Sequence, residues 1–233
     1  MSTQHTYSIQ DLARQMGRNL RDVERLASRG VIPGRKIDGS WLFQANEIRD
    51  WIQSDFATYT PDELQALETS QCSTELDQDF PVSSLLKVET IEVPLQARTK
   101  RAVLERLVQL AGNTWQIWSP DEVLRAVIER EEAASTAFDG GIALPHPKNP
   151  MPDAIGESVI ALGIAANGIP FGGGRSLTDL FFLILSRDNQ THLQILARLG
   201  RLFHCAGFLD QLRASETPEE AWQLIADTEK TLL

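Results

Sequence analysis

Residues 54–84 carry seven Asp/Glu and no Lys or Arg, with few apolar side chains from Thr58-Tyr59-Thr60-Pro61 to Asp77-Gln78-Asp79. Such a stretch cannot bury enough apolar surface to build a core of its own. It therefore divides the chain into two folding units, 1–54 and 85–233, with an acidic linker over 55–84. Within the linker, Pro61 to Leu67 can add one short helix. Charge follows the same division. Residues 1–53 hold eight Lys/Arg against six Asp/Glu, although the whole chain of 233 residues has a net charge of −10. A bulk polyanion binder is not expected, and nucleic-acid contact is expected only from the N-terminal unit. No apolar run approaches the roughly 20 residues of a membrane helix. The start Met1-Ser2-Thr3-Gln4-His5 lacks the pattern of a signal peptide. Cys72 and Cys205 are isolated thiols without a CxxC pair. They read as structural or incidental, and a cytoplasmic location is expected.

In the first unit, Ser8 caps a short helix that Gly17 interrupts. Asn19 caps a second helix with Leu20, Val23 and Leu26 at helical spacing, and Gly30 ends it. Arg35 to Phe43 reads as a hairpin turning at Asp38-Gly39, and Glu47 to Ile52 as a further helix. Two short helices, a hairpin and a helix describe a winged helix-turn-helix. The segments Tyr7-Ser8-Ile9-Gln10-Asp11-Leu12-Ala13, Val23-Glu24-Arg25-Leu26, Gly30-Val31-Ile32-Pro33 and Gly39-Ser40-Trp41-Leu42-Phe43 resemble the excisionase-like branch of the MerR-type helix-turn-helix domains over residues 6–53. That resemblance implies a second helix in the DNA major groove and a wing on the backbone. It assigns Arg18, Asn19, Arg21, Asp22 and Arg25 to the reading helix, with Arg35 and Lys36 on the wing. Asp22 and Glu24 place acid on or beside that helix, and Leu42 stands where the family often has a basic residue. A protein-docking module with a solvated helix face remains the alternative.

The second unit alternates helices and strands. Strands are expected at Thr90–Val93, Ile142–Leu144, Val159–Ala165 and Leu180–Leu185. Helices are expected at Thr99–Ala111, from a capping box at Ser119-Pro120-Asp121-Glu122 through Ile128, over Thr191–Phe203, and after a second box at Thr217-Pro218-Glu219-Glu220. This predicts an α/β fold, a sandwich of a mixed sheet flanked by helices. Trp115, Trp118 and Trp222 read as core or inter-element packing, and Arg198 and Arg201 as a solvated face. No fixed-period repeat occurs.

The chemistry centres on Gly140-Gly141-Ile142-Ala143-Leu144-Pro145-His146, a glycine turn and apolar strand ending on a histidine. Phosphoryl transfer to imidazole requires a neutral ring nitrogen, in-line access and donors for the phosphoryl oxygens. His146 can supply the nitrogen. Asp139-Gly140-Gly141 can bring backbone N–H groups close. His192 stands in the first turn of a helix, where the dipole favours an anion, and Arg130 can add a planar cation. Glycines 172–174 read as a turn, since no Lys-Ser/Thr follows as in a P-loop. His5 and His204 read as incidental. No metal or other cofactor is indicated.

Those residues carry a second resemblance. Arg130-Glu131, Ser135-Thr136, Gly141 to His146 and His192-Leu193-Gln194-Ile195-Leu196-Ala197-Arg198-Leu199 resemble the type 2 enzyme IIA domain of the bacterial phosphotransferase system over about residues 82–233. The branch is the one with the mannitol, fructose and nitrogen-regulatory IIA proteins. The resemblance implies that His146 is phosphorylated by a phosphohistidine carrier of the HPr or NPr type. It implies that His192 and Arg130 position and neutralise the phosphoryl oxygens. Several features depart from the family. Ala137-Phe138-Asp139 replaces glycine-rich sequence, Pro147 removes an N–H beside the histidine, and the loop 168–175 lacks an acidic residue.

The combined reading is a cytoplasmic regulatory phosphocarrier with a DNA-binding N-terminal domain, rather than an enzyme turning over a small substrate. Its expected partners are the carrier, double-stranded DNA and regulatory protein targets. No membrane association is expected, and a homodimer stays open because no heptad seam is present. The alternatives are a non-phosphorylated docking regulator that keeps the IIA fold, or a IIA relay to a separate sugar permease.

Overall fold

A computed structural model of the chain describes residues 6–71, 76–172 and 176–233. His5, Cys72, Gly173, Gly174 and Arg175 lie outside the described residues.

The N-terminal module begins with strand β1 (Thr6–Tyr7) and helices α1 (Ile9–Gln15) and α2 (Leu20–Ser28). Ser8 and Asp11 form a reciprocal capping box at α1, and Asn19 Oδ1 accepts from the Arg21 N–H at α2. Strands β2 (Arg35–Ile37) and β3 (Ser40–Gln44) pair antiparallel across Asp38-Gly39. Both turn residues have positive φ, 49° and 82°, so the turn has the hairpin-compatible twist read from the Asp-Gly pair. Helix α3 (Ala45–Asp55) closes the module, and a 3₁₀ turn (Phe56–Thr58) follows it.

The segment expected as a linker contains helix α4 (Pro61–Ser70), capped by Thr60 and Glu63. Leu64 and Leu67 are fully buried, so this helix is a layer of the fold. The short helix expected from Pro61 is present, but packed and not part of a solvated linker, because two leucines three residues apart make a sufficient stripe once another helix covers them.

The second domain is built on a five-stranded mixed sheet ordered β4-β7-β8-β6-β5. Its strands are β4 (Leu86–Glu92), β5 (Ala137–Phe138), β6 (Ile142–Ala143), β7 (Val159–Pro170) and β8 (Leu177–Leu185). Helices α5 (Lys100–Gly112) and α6 (Pro120–Ala133) lie along one face. Helices α7 (Asn189–His204), α8 (Phe208–Arg213) and α9 (Pro218–Lys230) cover the other. Thr217 caps α9 through the Glu220 N–H, with Pro218 in the first turn. The Ser119 side chain makes no such bond, so the box expected at Ser119 reduces to its proline at the start of α6.

One apolar cluster runs without interruption from Ile9, Leu12 and Phe43 through Ile52, Phe56 and Leu64 to Leu196 and Phe182. The N-terminal module, α4 and one face of the sheet therefore share a core. α7 lies along α4 where glycine is required: a Cβ at Gly200 would stand 2.7 Å from Phe56 and 2.9 Å from Leu64.

Three side-chain readings change. Arg198 is only 3% exposed and Arg201 is largely covered; both pair with the Glu68 carboxylate of α4, at 2.5 and 2.6 Å. They are a buried clasp and not a solvated face, because α4 covers them. Trp115 and Trp118 are exposed, while Trp222 is partly buried and donates to the Leu86 carbonyl. His204 bonds the Gly200 carbonyl near the end of α7.

Candidate functional site

The chain leaves β6 still extended. The Leu144 N–H donates to the Thr136 carbonyl, and the Pro145 carbonyl accepts from the Ile184 N–H of β8. This places His146 at the sheet margin, facing the start of α7. Asp188 caps α7 by accepting from the Thr191 N–H and hydroxyl, and His192 follows as its fourth residue. The two imidazoles meet with ring centroids 5.0 Å apart and planes inclined by 55°. Arg130, near the end of α6, donates to the Ala134 carbonyl at 2.7 Å. It lines a cavity of about 220 Å³ with His146, Ser135, Thr136, Gln53 and Phe56.

Glu131 shapes the wall of that cavity. Its buried carboxylate accepts from the Thr136 N–H at 3.0 Å, from the Thr136 hydroxyl at 2.5 Å and from the Ser135 hydroxyl at 2.7 Å. Lys100 balances its charge from α5 at 3.0 Å. The Ser135-Thr136 turn is thus fixed beside the histidine.

His146 is 3% exposed and His192 is 4% exposed. Burial pushes the His146 ring down to about 3, with the Arg130 and Arg49 charges adding to the effect and the Leu144 carbonyl opposing it. His192 is also held well below its ordinary value, first by burial and then by its neighbours His146, Arg49 and Arg130. Both rings are neutral at physiological pH. His146 Nδ1 lies 2.7 Å from the Leu144 carbonyl, an acceptor, so this nitrogen carries the proton. Nε2 is left unprotonated, and its lone pair is the nucleophilic one.

The residue facing that lone pair comes from the N-terminal module. The Gln53 side chain of α3 lies between the histidines, with Oε1 3.0 Å from His146 Nε2 and Nε2 2.7 Å from His192 Nε2. An amide oxygen against an unprotonated nitrogen would set two acceptors together. The amide turned by 180° donates to His146 and accepts from His192, which satisfies all three groups. One turn earlier, Arg49 is 3% exposed and spans the same junction. It donates to Asn189 at 2.9 Å, Asn149 at 3.3 Å and its neighbour Asp50 at 3.1 Å. Its Nε has no partner among the described residues.

Sequence reasoning named His146, His192 and Arg130, and the fold brings the three to one place. It missed Gln53 and Arg49. Their contacts with the second domain span 93 to 140 residues of sequence, and no local pattern marks them. The Asp139-Gly140-Gly141 turn does not line the histidine's cavity. It sits at the far end of β6, where Arg213 donates to the Gly140 carbonyl. Ser135 and Thr136 occupy the position expected for it.

In the same module, Asn19, Arg21, Asp22 and Arg25 of the α2 region and Arg35 and Lys36 of the hairpin are exposed. Arg25 pairs with Asp22 at 2.8 Å and Arg35 with Glu47 at 3.7 Å. Arg18 turns inward instead, pairing with Glu63 of α4 at 2.8 Å and standing over the Tyr59 ring. Among the described residues no group of His, Cys, Asp or Glu could hold a metal ion. No described helix is long and apolar enough to cross a membrane.

Residues 84–228 match the family described as phosphoenolpyruvate-dependent sugar phosphotransferase system, EIIA 2, and residues 6–55 match a helix-turn-helix domain family. The nitrogen regulatory protein of Escherichia coli (strain K12) is 31% identical over 163 residues, which is 68% of this chain and 97% of that protein. The fructose-specific EIIA component of Haloferax volcanii is 29% identical over 149 residues, 63% of this chain and 95% of that one. The crystal structure of nitrogen regulatory protein IIA-Ntr from Neisseria meningitidis superposes with a TM-score of 0.55 at 20% identity, over 62% of this chain and 98% of that chain.

Proposed function

The chain belongs to the EIIA 2 family of the phosphoenolpyruvate-dependent sugar phosphotransferase system, joined to a helix-turn-helix domain, and from that membership we propose that it is a regulatory phosphocarrier whose His146 accepts a phosphoryl group from an HPr- or NPr-type protein. The observation carrying this reading is the His146 ring itself. It is neutral, its Nδ1 proton is committed to the Leu144 carbonyl, and its unprotonated Nε2 meets the Gln53 amide with the His192 ring beside it. In the transfer, the phosphorus–nitrogen bond to the donor imidazole breaks as a bond to His146 Nε2 forms. The donor ring leaves with the electron pair, and His146 releases no proton. Arg130 stands where it can offset the charge of about −1.5 to −2 that the ring gains, and neutral His192 can donate a ring N–H to the phosphoryl oxygens. The Ser135 and Thr136 hydroxyls border the same space.

The test is incubation with phosphoenolpyruvate, enzyme I and carrier proteins, followed by intact-mass measurement. The wild type is expected to gain one acid-labile phosphate and His146→Ala none. The absence of phosphate on the wild type from every carrier would overturn the assignment.

The helix-turn-helix match and the exposed basic residues of α2 and the hairpin support duplex DNA as a second ligand. Arg21→Ala and Lys36→Ala should each weaken binding and lower the slope of log affinity against log salt by about one if both contact phosphates. Binding with no salt dependence would reject this interface.

One observation favours a different reading. The acceptor histidine is almost fully covered, as suits a IIA fold kept for docking without phosphorylation. The mass experiment separates the two.

A further inference from the structure

The covering of His146 is specific. Ile48 and Ile52 of α3, with Phe56 beyond it, belong to the apolar cluster shared with the second domain. Arg49 spans to the cap of α7 and to the loop after His146 through Asn189 and Asn149. Gln53 then holds both histidines by one amide. A phosphorus bonded to Nε2 would stand closer than the 3.0 Å at which the Gln53 amide lies, so the two cannot occupy that direction together. In-line transfer also needs the donor ring on the same axis, beyond the phosphorus.

We infer that α3 acts as an internal cover of the phosphoryl-acceptor site, seated where a phosphohistidine donor protein must bind, so that seating of α3 and phosphorylation of His146 exclude one another. The inference rests on the phosphocarrier reading for its transfer step, while the cover itself stands on the geometry. Exclusion is reciprocal: whatever α3 subtracts from access to His146, phosphorylation subtracts from the seating of α3. Opening can be confined to α3. α4 is held independently, by the Glu68 clasp on Arg198 and Arg201 and by buried Leu64 and Leu67.

The full-length protein tests this with two reagents that report separately. Diethyl pyrocarbonate acylates accessible neutral imidazole without any carrier, and mass mapping reads its rate at His146. Gln53→Ala and Arg49→Ala should each raise that rate, and the rate of phosphorylation by the carrier, at least about tenfold over wild type, the effect of losing one or two buried polar contacts. Gln53→Glu is expected to slow phosphorylation, because a carboxylate fills the same place and repels the incoming phosphoryl group. General loosening of the fold would move the alanine and glutamate variants in the same direction. On phosphorylation of the wild type, amide exchange of 45–55 should rise. Equal acylation rates at His146 in wild type, Gln53→Ala and Arg49→Ala would overturn the cover. If acylation shows the tenfold ratios while no form takes phosphate, the cover is upheld and the phosphocarrier reading fails.

Discussion

At the scale of single residues, His146 shows how burial selects a chemical state. Its Nδ1 proton is fixed by the Leu144 carbonyl, and its desolvated ring resists a second proton. Stability must then depend on pH in a definite sense. In the unfolded chain the ring takes up a proton below about pH 6.5, whereas the folded ring refuses it down to about 3. The unfolded state binds more protons across that window, so stability is full above it and falls as the pH drops. Between pH 7 and 5 the expected loss from His146 is about 2 kcal/mol. His192, facing it from α7 with Arg49 and Arg130 nearby, adds a loss of the same sign. Urea midpoints at the two pH values check this, and His146→Asn should flatten the dependence. The convergence of His146, His192 and Arg130 was legible because residue type and order carry it. Gln53 was not, since a glutamine on a small amphipathic helix says nothing until the fold places it between two imidazoles.

At the scale of elements, α4 joins the two domains physically as well as in sequence. Its carboxylate at Glu68 meets two arginines of α7 in a covered environment. Removing one member of such a group leaves buried charge unpaired, which costs about 3–5 kcal/mol. Glu68→Gln should fall near the lower bound, because Arg198 keeps the Asp79 and Gln78 carbonyls and lies 3.6 Å from Glu229. Chemical denaturation measures the loss. Elements with a strong local signature were readable from the chain: the Asp-Gly hairpin, the Asn19 cap, the apolar strands and the proline starts of α6 and α9. The short helix expected from Pro61 is present as α4, but its burial was missed, because its acidic composition describes its exposed side while its role is set by Leu64, Leu67 and Glu68. Arg198 and Arg201 were misread for the matching reason, since their partner belongs to the segment assigned as linker.

At the scale of the whole molecule, the exposed basic face of the N-terminal module and the α3 face seated on the second domain are distinct. Arg21, Arg25, Arg35 and Lys36 are exposed while α3 is seated, so the candidate DNA face is not what the second domain covers. Unphosphorylated protein should therefore bind DNA already. Phosphorylation should alter affinity by changing how the module is held, not by uncovering α2. Titrating one DNA duplex with wild type, phosphorylated wild type and His146→Ala checks this coupling. Identical affinities in all three would show the domains to be energetically independent.

The five residues 56–60 separate the end of α3 from the start of α4. A tether that short presents α3 to His146 at an effective concentration in the millimolar range, whatever the amount of protein in solution. Dilution cannot uncover the histidine, and on the phosphocarrier reading an arriving carrier would compete with a rival whose local concentration never falls. A donor with micromolar affinity for the open surface would show its half-point raised by the ratio of closed to open forms. The chain would then respond over a band of phosphorylated-carrier concentration set by the strength of the Gln53 and Arg49 contacts. Changing those two side chains would retune the threshold of response without touching the atom that reacts.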